Sequence, residues 1–285
     1  RLAVLSASMT RFYSQPATRE AYQRMVDSEE SLQPLTEEAL LQALLDAKPL
    51  SVLEVGCGSG RIYQRLREQG YQNTYTGVEM SPEVIAENRR RFPKAKWFCG
   101  SAYDLPVADE SQDCVFAYYV LQHCAYPERF LIKLLQTVRP GGSLLLAFPD
   151  FVVARLFGSQ RLGFAEGNAR EHLIAGKLLH ALVALYDSRI RLPRALRQAR
   201  KKIGPFPVNL RPKCLEPGIK IEPDVDAIYI ASREEIVRWA NDRGLKVSFL
   251  AGNERILHSN VLIRLNKLAS IDKSVCDSTW IRSIR

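Results

Sequence analysis

The chain has 285 residues, a net charge of +9, 46% apolar residues and 25% charged residues. These proportions exclude a disordered or low-complexity chain, and the length predicts a sizeable core in one large α/β domain with an insertion, or in two small domains. No apolar run reaches the roughly 18 residues a membrane span needs, and Arg1-Leu2-Ala3-Val4 does not open a signal-peptide stretch, so a cytoplasmic location is expected.

Residues 1–50 read as helical, with Thr36 as the N-cap of a leucine-rich helix that Pro49 stops. Strands and helices then alternate. Ser51–Val55 is a short buried strand running into glycines, and Arg61–Gln69 is a helix ended by Gly70. Tyr75–Glu79 is the second strand, and Ser81-Pro82-Glu83 opens a helix with an N-cap serine and a proline in its first turn. Ala95–Cys99 and Asp113–Tyr119 are the third and fourth strands. A helix from Pro127 to Val138, a Pro140-Gly141-Gly142 turn and a fifth strand over Ser143–Phe148 follow. This spacing implies a parallel sheet whose ligands bind at the carboxyl ends of the strands.

The order breaks at Pro149. Residues 151–230 hold one predicted helix near Ala169–Tyr186 and a second near Pro193–Ile203. Order returns with a helix over Ser232–Arg243 and strands over Gly244–Leu250 and Ser259–Leu265, close enough to form a hairpin. The tail after Ala269 is polar and expected to be loose.

The charge is uneven. Residues 151–220 carry 14 Lys or Arg against 4 Asp or Glu, so the basicity belongs to this insertion and the rest of the chain is near neutral. Within it, Leu192, Leu196, Ala199 and Ile203 repeat at helical spacing while Arg194, Arg197 and Lys201 fall on another face, with Arg191, Arg200 and Lys202 nearby. Three readings stay open for helix 191–203: a solvated lid face, contact with an anionic substrate or acidic partner, and peripheral contact with a membrane surface. No RNA-binding module is recognisable, and nucleic acid is not the expected partner.

Two elements carry chemistry. The first is Gly56-x-Gly58-x-Gly60 between a strand and a helix, where the backbone can turn sharply and approach a ligand. The third glycine comes one residue earlier than in a dinucleotide fingerprint. Glu54, two residues before the first glycine, suits a positively charged ligand better than a pyrophosphate. The second is Glu79 at the end of the next strand, 19 residues past Gly60, where a carboxylate accepts hydrogen bonds from ribose hydroxyls. Together they point to an adenosine-type ligand. The six cysteines (Cys57, Cys99, Cys114, Cys124, Cys214, Cys276) form no CxxC pair, and the four histidines do not fall at zinc spacing beside them. Buried reduced thiols and no metal are expected.

With Leu53–Gly60, Gly77–Ser81, Gly100–Pro106, Asp113–Phe116 and Val138–Gly142 in order, the chain resembles the class I S-adenosylmethionine-dependent methyltransferases, in particular the small-molecule group that includes the ubiquinone and sterol enzymes. The resemblance covers about 50–148 and resumes over 232–265. It implies a Rossmann-like, seven-stranded α/β sheet with an antiparallel end strand, and a helical lid inserted between the fifth strand and the last helix. Its divisions are a helical cover (1–48), the cofactor core (49–150), the basic insertion (151–230), a closing helix and hairpin (231–268) and a tail (269–285).

The resemblance also implies roles. The loop Gly56, Cys57, Gly58 and Gly60 packs against S-adenosylmethionine, Glu54 sits near its amino group, Glu79 binds the ribose and Met80 lies on the adenine face. Ser101 and Ala102 match the adenine-edge position, where many relatives carry Asp in place of Ser101. Tyr119 lies under the methyl donor. His123, just past the fourth strand, is the candidate base, with loop orientation or helix capping as the other reading. His172 and His180 are read as structural. Tyr13 and Tyr22 lie in the covering region and are candidates for touching the acceptor, with packing as the alternative. The implied reaction is direct displacement that leaves S-adenosylhomocysteine, with oxygen favoured as the acceptor atom on a small or medium organic molecule, anionic or lipid-linked. The alternatives are a non-catalytic cofactor-binding partner protein and a methyltransferase acting on a lipid-linked or nucleic-acid substrate.

Overall fold

The computed structural model describes residues 1–27, 33–154, 168–219, 221, 224–250 and 260–269. Three helices lead, α1 (Leu2–Ser14), α2 (Pro16–Asp27) and α3 (Pro34–Ala47). The core then alternates: β1 (Ser51–Val55), α4 (Arg61–Glu68), β2 (Thr74–Glu79), α5 (Pro82–Arg91), β3 (Lys96–Cys99), β4 (Gln112–Tyr118), α6 (Pro127–Thr137) and β5 (Val138–Pro149). The insertion carries α7 (Phe151–Ala154), α8 (Ala169–Ile174), α9 (Leu178–Tyr186) and α10 (Leu192–Ile203). The chain closes with α11 (Arg233–Asn241), β6 (Lys246–Phe249) and β7 (Asn260–Asn266).

The seven strands form one sheet in the order β3-β2-β1-β4-β5-β7-β6. β1 to β5 are parallel, β7 is antiparallel to β5, and β6 is antiparallel to β7. This is the seven-stranded sheet with an antiparallel end strand that the family resemblance implies. Side-chain alternation along the strands divides the core between the two faces. Leu53, Val55, Val115, Ala117, Leu144, Leu146 and Phe148 pack on one face with α1, α6 and α11. Val52, Phe116, Leu145 and Ala147 pack on the other with α3, α4 and α5.

Several boundaries differ from expectation. β5 begins at Val138, so Pro140-Gly141-Gly142 is not a free turn before it but an irregularity within it. The pairing jumps from Gln112↔Val138 to Cys114↔Ser143, with Gly141 at φ +79 and a Cβ on Gly142 only 2.7 Å from the Asp113 carbonyl oxygen. The leucine-rich helix starts at Pro34, with Gln33 rather than Thr36 at the N-cap position, because a proline at the first helical position sets the helix three residues earlier. The single helix expected over 169–186 is broken at Gly176, whose φ of +70 turns α8 back against α9 and brings the His172 and His180 rings within 5.5 Å. α10 starts at Leu192 and continues from α9 through a π-helical turn at Asp187–Arg191.

The described residues of 204–231 have little helix or strand, yet 225–231 is one of the most deeply buried stretches. Its backbone is satisfied by partners outside a ladder. Ile228 and Tyr229 N–H groups both donate to the Gln122 carbonyl, and Ile230 N–H donates to that of Pro207. The strap therefore docks on the turn that follows β4. Four cysteines (Cys57, Cys114, Cys124, Cys214) are buried and Cys99 is exposed, unlike the rest; Cys276 and the tail after Ala269 lie outside the described residues.

Candidate functional site

The carboxyl edge of the sheet is built around the glycine loop. Gly56 and Cys57 N–H groups donate to the Val78 carbonyl at 2.8 and 3.1 Å, so the loop folds back over the end of β2. Gly56, Gly58 and Gly60 all have positive φ (+76, +47 and +76), which explains glycine at each. A Cβ on Gly56 would stand 2.3 Å from Val120 Cγ2, so the loop presses against Val120, two residues past the end of β4. At Gly58 a Cβ would meet nothing within 4 Å, and the loop is open there. Asn88 from α5 fixes this open point by donating to the Gly58 carbonyl at 2.7 Å.

Glu79 is held at the end of β2. Its Oε1 accepts the N–H groups of Met80 (2.7 Å) and Ser81 (3.3 Å), and its Oε2 accepts that of Gly58 (3.3 Å). Burial raises its pKa, and these three donors oppose the rise. A carboxylate has about four lone-pair positions, so Oε2 keeps capacity for a hydroxyl donor. Met80 stands beside it with 44% of its surface exposed, an apolar face at a polar edge. An open glycine loop, an aimed carboxylate and an exposed thioether fit an adenosine-bearing ligand. Ser101 is exposed, its hydroxyl accepts the Tyr103 N–H at 3.2 Å, and Ala102 packs against the core.

Three expected cofactor residues point elsewhere. Glu54 is 2% exposed and lies inside the sheet, where it accepts the Tyr75 hydroxyl. Burial lifts its pKa to about 8 despite that bond, so its carboxyl is mostly neutral at pH 7 rather than a counter-charge for an ammonium group. The Cys57 side chain turns into the core under Gly77, leaving only its backbone at the loop surface. Tyr119, at φ +56, sends its hydroxyl to Asn260 Oδ1 (2.8 Å) on β7 and Thr36 Oγ1 (3.5 Å) on α3. Its phenol is thus tied to the helical cover.

His123 ends a short 3-10 turn (Leu121–His123) that starts beside Val120, one tight turn from the glycine loop. Its Nδ1 lies 3.0 Å from Asp226 Oδ2, a charge pair rather than an aligned hydrogen bond. The same oxygen accepts the Tyr13 hydroxyl at 2.5 Å. Asp224 stands close as well, held by Gln122 Nε2 at 3.4 Å. Burial pushes the His123 pKa down, but Asp226 and Asp224 together outweigh it and lift the pKa to about 9. The Asp224 pKa is raised, mainly by burial and against the pull of His123. Tyr13 (α1), His123 (after β4) and Asp226 (the strap) therefore converge from three distant parts of the chain.

Asp226 is the member of this cluster that the sequence does not single out. A lone Asp inside the apolar run Val225–Ala231 was the available signal, because an almost fully buried carboxylate needs a partner. Tyr22 lies on α2, and its side chain is outside the described residues. A hollow of about 480 Å³ opens between α1, the start of α2 and the strap, lined by Phe12, Gln15, Thr18, Cys214 and Ile219 among others. Its lining residue Phe12 directly precedes Tyr13 on α1, and burial, and after it the charge of Asp226, push the thiol of its lining residue Cys214 up to about 12. The volume is of the order of small-molecule sites. Among the described residues, no group of three or more His, Cys, Asp or Glu side chains could hold a metal ion, and no helix is long and apolar enough to cross a membrane.

Residues 53–146 match the family described as methyltransferase domain. The malonyl-[acyl-carrier protein] O-methyltransferase of Pectobacterium atrosepticum is 29% identical over 142 residues, covering 49% of this chain and 55% of that protein. The phthiotriol/phenolphthiotriol dimycocerosates methyltransferase 1 of Mycobacterium ulcerans is 32% identical over 165 residues, covering 54% and 59%. The chain spans about a fifth to three-fifths of the length of the curated relatives it matches. A putative S-adenosylmethionine-dependent methyltransferase from Listeria monocytogenes shares the fold at a TM-score of 0.53 and 15% identity, over 81% of this chain and 98% of that one.

Proposed function

We propose that the chain is a class I, S-adenosylmethionine-dependent methyltransferase, as the match of residues 53–146 and the sheet order support, and that it transfers the methyl group to an oxygen of a small or medium organic acceptor seated between α1 and the strap. The observation that carries this reading is the Tyr13–Asp226–His123 cluster, one turn from the glycine loop and beside a hollow of acceptor size.

S-adenosylmethionine supplies a methyl group already activated by a positively charged sulfur. The residues then have three tasks. Glu79 and the loop around Gly58 fix the donor's adenosine end, and Met80 covers one face of the ring. Alignment of the two reactants contributes up to about 7–11 kcal/mol of the barrier reduction. His123 takes the proton from a hydroxyl acceptor through its imidazole, while Asp226 holds the ring and stabilises its charged form. Tyr13 fixes Asp226 and closes the site from the cover.

With a pKa of about 9, His123 is largely protonated at pH 7 before the donor binds. A nearby sulfonium lowers that pKa, since like charges disfavour protonation. The rate with a hydroxyl acceptor should therefore rise with pH until His123 is neutral. A carboxylate acceptor, as the malonyl group in the name of the Pectobacterium relative suggests, needs no base and gives a flat profile across the same range.

The test is S-adenosylhomocysteine release with a panel of phenolic, aliphatic hydroxy and carboxylic acceptors. His123→Ala should slow the reaction with a hydroxyl acceptor by about 10²–10⁴-fold. Full activity of His123→Ala on such an acceptor would remove the base role.

A further inference from the structure

The α8–α9 hairpin is built inside out. α9 turns its small residues Ala181 and Ala184 inward and its leucines outward. Ile174, Leu178, Leu179 and Leu182 are 78%, 67%, 72% and 63% exposed, and Leu173 and Leu185 join them. Single exposed leucines are ordinary, but a contiguous group on one hairpin marks an interaction surface. A helix that only covered a pocket would bury its leucines, because each fully buried one contributes about 1.5–3 kcal/mol.

The same segment is the basic part of the chain. α9 passes through the π-turn directly into α10, where Arg194, Arg197, Lys201 and Lys202 are exposed. Arg189 is exposed on the π-turn itself. Among the described residues, no carboxylate pairs with any of these five cations, whereas Arg200 on the same helix is taken by Glu235. Exposed leucines next to unpaired cations is the composition of a segment that lies in a lipid–water interface. The apolar side chains enter the acyl boundary and the cations meet anionic headgroups. The positive flank selects this occupant, since an apolar partner alone would give the cations nothing.

We propose that α8, α9 and α10 form a docking surface for an anionic lipid bilayer, with the leucines of α9 as the inserted part and Arg189, Arg194 and Arg197 as the headgroup contacts. This stands apart from the identity of the acceptor, and its failure leaves the methyl-transfer reading untouched.

The experiment is sedimentation of the chain with phosphatidylcholine vesicles, with and without phosphatidylglycerol, alongside light scattering of the free protein. The chain should pellet with the anionic vesicles and much less with the neutral ones, and high salt should release it. Leu178→Ser/Leu182→Ser should weaken binding at least tenfold. Arg194→Ala/Arg197→Ala should weaken it roughly 25-fold, about fivefold for each cation near the surface. All four positions are exposed, so circular dichroism of both variants should match the parent. Equal binding to both vesicle types, no binding, or binding indifferent to both variants overturns the proposal. So does a dimer in free solution that Leu178→Ser/Leu182→Ser converts to monomer, which would assign the leucines to a second copy.

Discussion

The two sides of the sheet's carboxyl edge are held together by different means. The donor side is made of backbone: a loop of positive-φ glycines folded onto the Val78 carbonyl, and a carboxylate fixed by three main-chain N–H groups. The side proposed for the acceptor is made of side chains from far apart, with Tyr13 and Asp226 separated by 213 positions and His123 between them. The difference predicts that the glycine-loop side depends on backbone shape and on the one carboxylate, Glu79, that its main chain fixes. The Tyr13–Asp226–His123 side should respond to single changes of charge.

The largest effect expected from breaking this contrast is at Gly56. Gly56→Val places a Cβ 2.3 Å from Val120 Cγ2 at a φ of +76. Overpacking costs about 1–3 kcal/mol, and the left-handed backbone adds about 1–2 kcal/mol. Thermal unfolding should show the loss, and donor binding should fall below detection. Gly58→Ala meets nothing within 4 Å and should cost only the backbone strain, about 1 kcal/mol. Equal damage at both positions would mean the loop's fit against Val120 is not what shapes the site.

Next is Asp226→Asn. It removes the charge that lifts the His123 pKa, so the rising limb of activity with a hydroxyl acceptor should move to lower pH and the maximal rate should fall. Stability reports the same coupling. Because the folded pKa of His123 is raised above 6.5 to about 9, its contribution is fully present below about pH 6.5 and is lost as pH rises through about 9. Urea unfolding of the parent should weaken across that window, and Asp226→Asn should flatten the dependence. A parent whose stability does not change across it would contradict the pairing.

The smallest effect separates two arginines of α10. Arg200 Nη2 lies 2.6 Å from buried Glu235 Oε1, and Glu235 also accepts the Tyr229 hydroxyl. Arg200 is 40% exposed, so solvent screens the pair and Arg200→Ala should cost about 1 kcal/mol by denaturant unfolding. Arg194→Ala should stay within about 0.5 kcal/mol. A reversed order would mean that α10 is not anchored through Glu235.

The same contrast explains what was legible in the sequence. β1, β2, the glycine loop and Glu79 are adjacent in the chain, and a strand, a turn and an N-cap each leave a local pattern. The β6–β7 hairpin was readable for the same reason. Asp226 was not, because nothing near it in sequence is its partner; it meets His123 where the Ile228 and Tyr229 N–H groups bind the Gln122 carbonyl. Glu54 was read as a ligand group from its place before the glycines, but strand alternation turns it into the core against Tyr75. The leucines of α9 were readable as a helix but not as an exposed one, since periodicity marks an apolar face without saying what covers it.

The most direct test of the central claim is calorimetric titration of the purified chain with S-adenosylmethionine and, separately, NAD, repeated with Glu79→Ala. Charge-assisted hydrogen bonds of this kind are worth about 1.5–3 kcal/mol, so S-adenosylmethionine should bind the parent and Glu79→Ala should bind it roughly 10–100-fold more weakly, with no comparable affinity for NAD. Tight binding of NAD alone, or an S-adenosylmethionine affinity unchanged by Glu79→Ala, would contradict the account.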